Sequence, residues 1–132
     1  MRALFLSDVH VSPARPEAVA ALVDLLEAAI GRLDALFVLG DLFDQWLGDD
    51  DVTPPHPEVE AGLRAVANSG THISAHHGNH DFLLGKSFAE RTGCEVVSGH
   101  QVVELDGVKT VLLHGDVLCT DDVEYQEYRK YT

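Results

Sequence analysis

Asp8 and His10 lie two residues apart, Asp41 follows Gly40, and Asn79, His80 and Asp81 follow Gly78, with His114 just ahead of Gly115 and Asp116. These side chains offer hard oxygen and imidazole donors. A mixed N/O set suits Mn²⁺, Fe²⁺, Co²⁺ or Zn²⁺ better than Ca²⁺. The absence of cysteine from the clusters argues against a structural thiolate zinc site. A glycine-rich phosphate loop is also missing. The chemistry such donors support is metal-assisted phosphoester hydrolysis, in which two divalent ions about 3.5–4 Å apart neutralise an anionic substrate and stabilise in-line displacement.

Each residue also has a plainer reading. Asp8 could close an Asx turn with His10 solvated. Asp41 could cap a helix over Leu42 and Phe43. Asp44 reads better as support for a ligand than as a ligand. His80 could contact a phosphate oxygen or protonate a leaving group, and Asp81 could orient His80 or cap the helix that follows. His114 could be a surface histidine at a strand end. The run Asp49-Asp50-Asp51 reads as a solvated loop. His72 and His76 alternate along a strand, either at the edge of the core or at the surface.

The elements that would carry the donors favour the metal reading. Apolar runs predict strands over Ala3–Ser7, Ala35–Leu39 and Thr71–His76. Helical periodicity covers Pro16–Ile30 and Glu58–Asn68, the latter stopped by Gly70. A further helix is expected over Phe82–Arg91, ended by Gly93. The βαβαβ order predicts a parallel sheet with right-handed crossovers. Asp106-Gly107 between Gln101–Leu105 and Val108–Leu113 predicts a hairpin that joins that sheet or builds a second one. Asp8, Asp41, Asn79 and His114 then all emerge at strand ends, where open α/β sheets bind ligands. Asp121–Thr132 reads as the opening of a helix capped by Asp121 or Asp122.

With 132 residues, one domain with a modest core is expected. Nine basic against 22 acidic residues give a net charge of -13. That balance repels nucleic acid and anionic membrane surfaces on average, so no nucleic-acid partner is expected. Part of the acidity has a bland origin in solubility, and part fits a site for cations. Cys94 and Cys119 carry no CxxC spacing and read as free thiols of a reducing cytosol. No signal peptide and no spanning apolar stretch of ~18 residues is visible.

The ordered set of DVH, GDLFD, GNHD and HGD resembles the calcineurin-like metallophosphoesterase superfamily over essentially the whole chain. The longer stretches GDLFDQWLGDDD, GNHDFLLGKSFAERTG and LLHGDVLCTDDVEYQEYR are similar to its UDP-2,3-diacylglucosamine diphosphatase branch in lipid A synthesis. The resemblance implies an αββα sandwich in which Asp8 and His10 serve a first metal, Asp41 bridges, and Asn79 and His114 serve a second. It implies two divalent ions, with Mn²⁺ expected, catalytic roles for Asn79 and His80, and substrate contacts from Asn79, His80 and Asp122. The implied reaction splits the pyrophosphate of UDP-2,3-diacylglucosamine into UMP and 2,3-diacylglucosamine 1-phosphate, at the cytoplasmic face of the inner membrane. No protein partner is implied. That branch usually has Arg at position 80. It also continues beyond this length with a helical lid and a GHxH segment carrying two more metal histidines. The chain is therefore expected to be the N-terminal part of one such domain over 1–132, with 121–132 opening the lid. Two alternatives stand beside this: hydrolysis of another phosphodiester or nucleotide, and a metal-binding fragment without full activity.

Overall fold

The computed structural model describes residues 1–131; Thr132, the last residue of the expected lid segment, lies outside them. Four strands, β1 (Ala3–Leu6), β2 (Ala35–Val38), β3 (His72–His76) and β4 (Glu95–Val97), form a parallel sheet in that order. Three helices, α1 (Pro16–Ala29), α2 (His56–Asn68) and α3 (Lys86–Thr92), connect them. Pro16 opens α1, where its missing N–H costs nothing. Val19, Leu22 and Leu26 of α1, Val59, Leu63 and Val66 of α2, and Phe88 of α3 meet Leu36, Val38, Ile73 and Ala75 in one core. Short parallel strands with successive crossovers on a single face are what right-handed βαβ units produce.

The hairpin of β5 (Gln101–Leu105) and β6 (Val108–Leu112) builds a second sheet rather than extending the first. Its turn has positive φ at both Asp106 (49°) and Gly107 (85°), the conformation that matches strand twist. Leu112 packs on Ala35 and Phe37, with Val103 and Leu105 beside it, against the face of the parallel sheet opposite the helices. The described layers therefore run helix, sheet, sheet.

Three features depart from the expected elements, the first a strand that the sequence did not suggest. Glu95–Val97 is a strand of three residues, too short for an alternating pattern to register. The third helix begins at Lys86 and not at Phe82. The reason is distant in sequence: the Asp49 carboxylate accepts hydrogen bonds from Gly85 N and Phe88 N, both 3.0 Å, and so caps α3 from outside. Asp49 also takes Trp46 Nε1–H at 3.2 Å. The Asp51 side chain is 8% exposed, and its hydrogen bonds with Thr53 hold its carboxyl below the ordinary range. The acidic run is therefore structural at Asp49 and Asp51, not a solvated loop. Cys94 and Cys119 are free thiols; burial pushes Cys94 up to about 11.

His56 opens α2 with its ring against Phe43 (4.7 Å) and Trp46 (5.1 Å). Burial lowers its pKa, outweighing the nearby Asp51. The fold thus favours the neutral ring. The unfolded chain takes up a proton as pH falls below about 6.5, so stability is full above that pH and is lost as pH drops toward the folded value. Denaturant unfolding of chelator-treated protein should show this acid loss, with a shallower decline in His56→Phe. An unchanged pH slope in the variant would contradict it.

Candidate metal centre

The loops after β1 and β2 run side by side beyond the sheet. Asp8 N donates to Gly40 O (3.1 Å), His10 N to Asp41 O (3.0 Å), Val11 N to Leu42 O (2.8 Å) and Asp44 N to Val11 O (3.0 Å). This ladder continues strand pairing past the strands, so two donor clusters 31 to 33 residues apart are set in one register. Asp8 (57°), His10 (52°) and Asp41 (53°) have positive φ, and Asp106 in the hairpin turn is the remaining non-glycine residue of that kind among the described residues. The left-handed region costs a side-chain-bearing residue about 1–2 kcal/mol, and such strain gathers where surroundings enforce it for function.

Asp41 lies at the middle of the donors and is 3% exposed. Its Oδ2 is 3.6 Å from His10 Nε2 and 3.3 Å from His114 Nε2. His10 Nε2 is also 3.8 Å from Asp8 Oδ1, and His114 Nε2 is 3.0 Å from Asn79 Oδ1. Ligand atoms of His10, Asp41 and His80 lie within 4.8 Å of one another, as do those of Asp8, Asp41 and His114. Asp41 belongs to both groups. The structure thus brings together Asp8, His10, Asp41, Asn79, His80 and His114. It also places His80, read from sequence as a substrate residue, among the potential ligands beside His10. Carboxylates crowded at this spacing are relieved by cations, and the mixed donor set fits divalent ions.

The imidazoles are presented by their other nitrogens. His114 Nδ1 donates to Leu39 O at 2.8 Å, and a carbonyl can only accept, so Nε2 faces Asp41 and Asn79 with its lone pair. His10 Nδ1 meets Asp44 Oδ1 at 3.0 Å, which turns His10 Nε2 toward Asp8 and Asp41. His80 Nδ1 donates to Asp44 O at 3.0 Å. Asp44 thus supports two rings, and the His10 and His80 rings meet edge to face at 4.9 Å.

Asp81 neither orients His80 nor caps α3. It is fully buried and accepts from Gly78 N (2.9 Å), Asp41 N (3.1 Å) and Phe43 N (3.2 Å). Burial raises its carboxyl above the usual range, against the pull of those three donors. In return Asp41 Oδ1 accepts from His80 N at 2.9 Å. The second and third loops are therefore locked reciprocally. Gly78 permits the approach, since a Cβ there would sit 2.1 Å from Asp41 Oδ1; at Gly40 it would sit 2.6 Å from His114 Nδ1.

Asp122 is placed differently. Its carboxylate accepts from Tyr125 N (3.1 Å) and caps α4 (Val123–Lys130). That helix docks through Asp116, which accepts from Tyr125 Oη and from Arg129 Nε (3.1 Å). Tyr125, Tyr128 and Arg129 line a cavity of about 180 Å³ together with His77, Gly78 and Phe82, next to the donor loops. Sequence reasoning missed Asp49 and assigned Asp81 to other roles; Asp49 acts on N–H groups 36 and 39 residues away and Asp81 on two that are 40 and 38 residues away, for which no local pattern exists.

A family model described as calcineurin-like phosphoesterase matches residues 1–132. UDP-2,3-diacylglucosamine hydrolases of Yersinia pseudotuberculosis serotype O:1b (strain IP 31758) and Yersinia pestis are 45% identical over 130 residues, covering 98% of this chain and 54% of theirs. The chain spans about half the length of these curated relatives. Among solved structures, a protein of unknown function from Aquifex aeolicus has a TM-score of 0.57 at 18% identity, covering 96% of this chain and 69% of that one. Pseudomonas putida nuclease MPE also has 0.57, at 24% identity over 78% of this chain and 50% of its own. At those identities the structural likeness shows the fold alone.

Proposed function

Because the chain belongs to the calcineurin-like phosphoesterase family, we propose that it carries most of the metal centre of an enzyme that hydrolyses the pyrophosphate of UDP-2,3-diacylglucosamine to UMP and 2,3-diacylglucosamine 1-phosphate, a step of lipid A synthesis. Family membership implies a metal-dependent hydrolase with divalent ions; Mn²⁺ is the ion we propose. The observation that carries the reading is the pair of donor groups sharing Asp41 in a chain 45% identical to proteins named for that substrate.

Asp8 and His10 would hold one ion, Asn79 and His114 the other, with Asp41 between them. Divalent ions bound there supply Lewis acidity to an anionic phosphoester. Asp44 holds His10 in its ligand tautomer, and Leu39 O does so for His114. His80 keeps a proton on Nδ1 for Asp44 O, so Nε2 is the atom that meets a phosphate oxygen or exchanges a proton with a leaving group. The His80 side chain is 45% exposed, open to substrate. Asn79 would join His80 as a substrate contact through its NH₂, with Oδ1 left to the ion beside His114. Asp122 would act on substrate by fixing the start of α4, the expected opening of a lid. No described helix is long and apolar enough to cross a membrane, and the reading assigns contact with the cytoplasmic face of the inner membrane to the lid.

Full-length protein containing these residues, supplied with Mn²⁺ and UDP-2,3-diacylglucosamine, should release UMP and stop on chelation; no UMP release would sink the proposal. His80 favours a second reading, another phosphodiester, because a lone imidazole cannot hold a phosphate bidentately as Arg does. If the UDP-lipid is native, His80→Arg does not raise activity by more than about tenfold, roughly 1.4 kcal/mol of barrier. A larger gain would favour the second reading.

A further inference from the structure

The face of the parallel sheet that receives the hairpin changes character across its width. On β2 it is apolar, with Ala35 and Phe37 under Leu112. On β3 it is polar, because His72, Ser74 and His76 alternate onto it while Ile73 and Ala75 join the helix-side core. Ser74 and His76 are buried all the same. One residue of the hairpin answers both: Gln101 Oε1 lies 3.1 Å from His76 Nε2, and Gln101 Nε2 donates to Ser74 Oγ at 3.3 Å. Its amide offers both the acceptor and the donor that this face requires.

Gln101 stands opposite Leu112 in the ladder, and His114 follows two residues later. The hairpin's apolar seat is a cluster with three buried residues, small for fixing a ligand's position. We propose that Gln101 is a positioning residue for the His114 side of the metal centre: its amide clamps the hairpin end to β3 and so sets where His114 meets Asp41 and Asn79. The clamp acts on one side only, since Asp8 and His10 are placed by the ladder between the β1 and β2 loops. The inference rests on the two-ion reading above.

The test is calorimetric titration of the full chain with Mn²⁺. His114→Ala and His10→Ala identify which binding step belongs to which side. Gln101→Leu should weaken the His114 step about tenfold or more, as loss of groups that orient ligands does, and leave the His10 step within about twofold. Gln101→Glu, which keeps an acceptor for His76 and for the Ser74 hydroxyl, should recover most of the loss. If Gln101→Leu does not fold, Ser74→Ala removes one arm and should give a smaller loss confined to the same step. Equal losses at both steps, or none at either, overturn the inference. Wild-type protein that binds fewer than two ions overturns the two-ion reading and this inference with it.

Discussion

Asp41→Asn is expected to remove both bound ions and to lower metal-dependent hydrolysis at least about a thousandfold, roughly 4 kcal/mol of barrier. The substitution keeps the shape and removes the one charge common to both donor groups. The Oδ1 position accepts from His80 N, so the new amide keeps its oxygen there. Its NH₂ then takes the place of Oδ2, which lies 3.6 Å from His10 Nε2 and 3.3 Å from His114 Nε2. An amide nitrogen there has no lone pair to share with a cation. Replacing His10 or His114 alone removes a ligand from one side, so Asp41→Asn should exceed either. Calorimetry with Mn²⁺, alongside the hydrolysis assay, checks it. Two ions bound with wild-type affinity would show that Asp41 does not bridge.

Asp81→Ala should be the most damaging single substitution for stability, costing about 4 kcal/mol, near the upper end for point mutants. It leaves the N–H groups of Gly78, Asp41 and Phe43 without their shared acceptor in a site closed to water. Each unpaired buried donor costs about 1–3 kcal/mol. Truncation also frees the second loop from the third, so metal affinity should fall even in protein that still folds. Urea unfolding of chelator-treated protein measures the first effect. A loss under about 1 kcal/mol, the net worth of one ordinary hydrogen bond, would mean that the loops hold their geometry without Asp81.

Much of the fold was legible because it is written locally. The runs at Ala3–Leu6 and Ala35–Val38 are short and apolar, His72–His76 alternates polar with apolar residues, and amphipathic helices separate them, which leaves a parallel sheet as the economical arrangement. Asp106-Gly107 announced its turn through the positive φ that both positions adopt. The start of α3 was not legible, because its cap comes from Asp49, 36 residues before Gly85. Nor was the destination of the hairpin. The same alternation in Gln101–Leu105 serves an added strand or a second sheet, and the choice fell to Leu112 on Phe37 and to Gln101 on His76.

For the metal centre, the sequence alone determined the donor types, their order, and their delivery to one edge of a sheet, since strand ends and the residues after them follow from local patterning. Only the tertiary structure decided that Asp41 faces both donor groups, that Asp44 and Leu39 O select the nitrogens His10 and His114 present, and that Asp81 locks two loops together. The physical reason is range. Periodicity and turn propensity act over a few residues, whereas a shared carboxylate depends on angstrom-scale approach between segments 30 to 75 residues apart, set by loop hydrogen bonds and by the clearance that Gly40 and Gly78 leave.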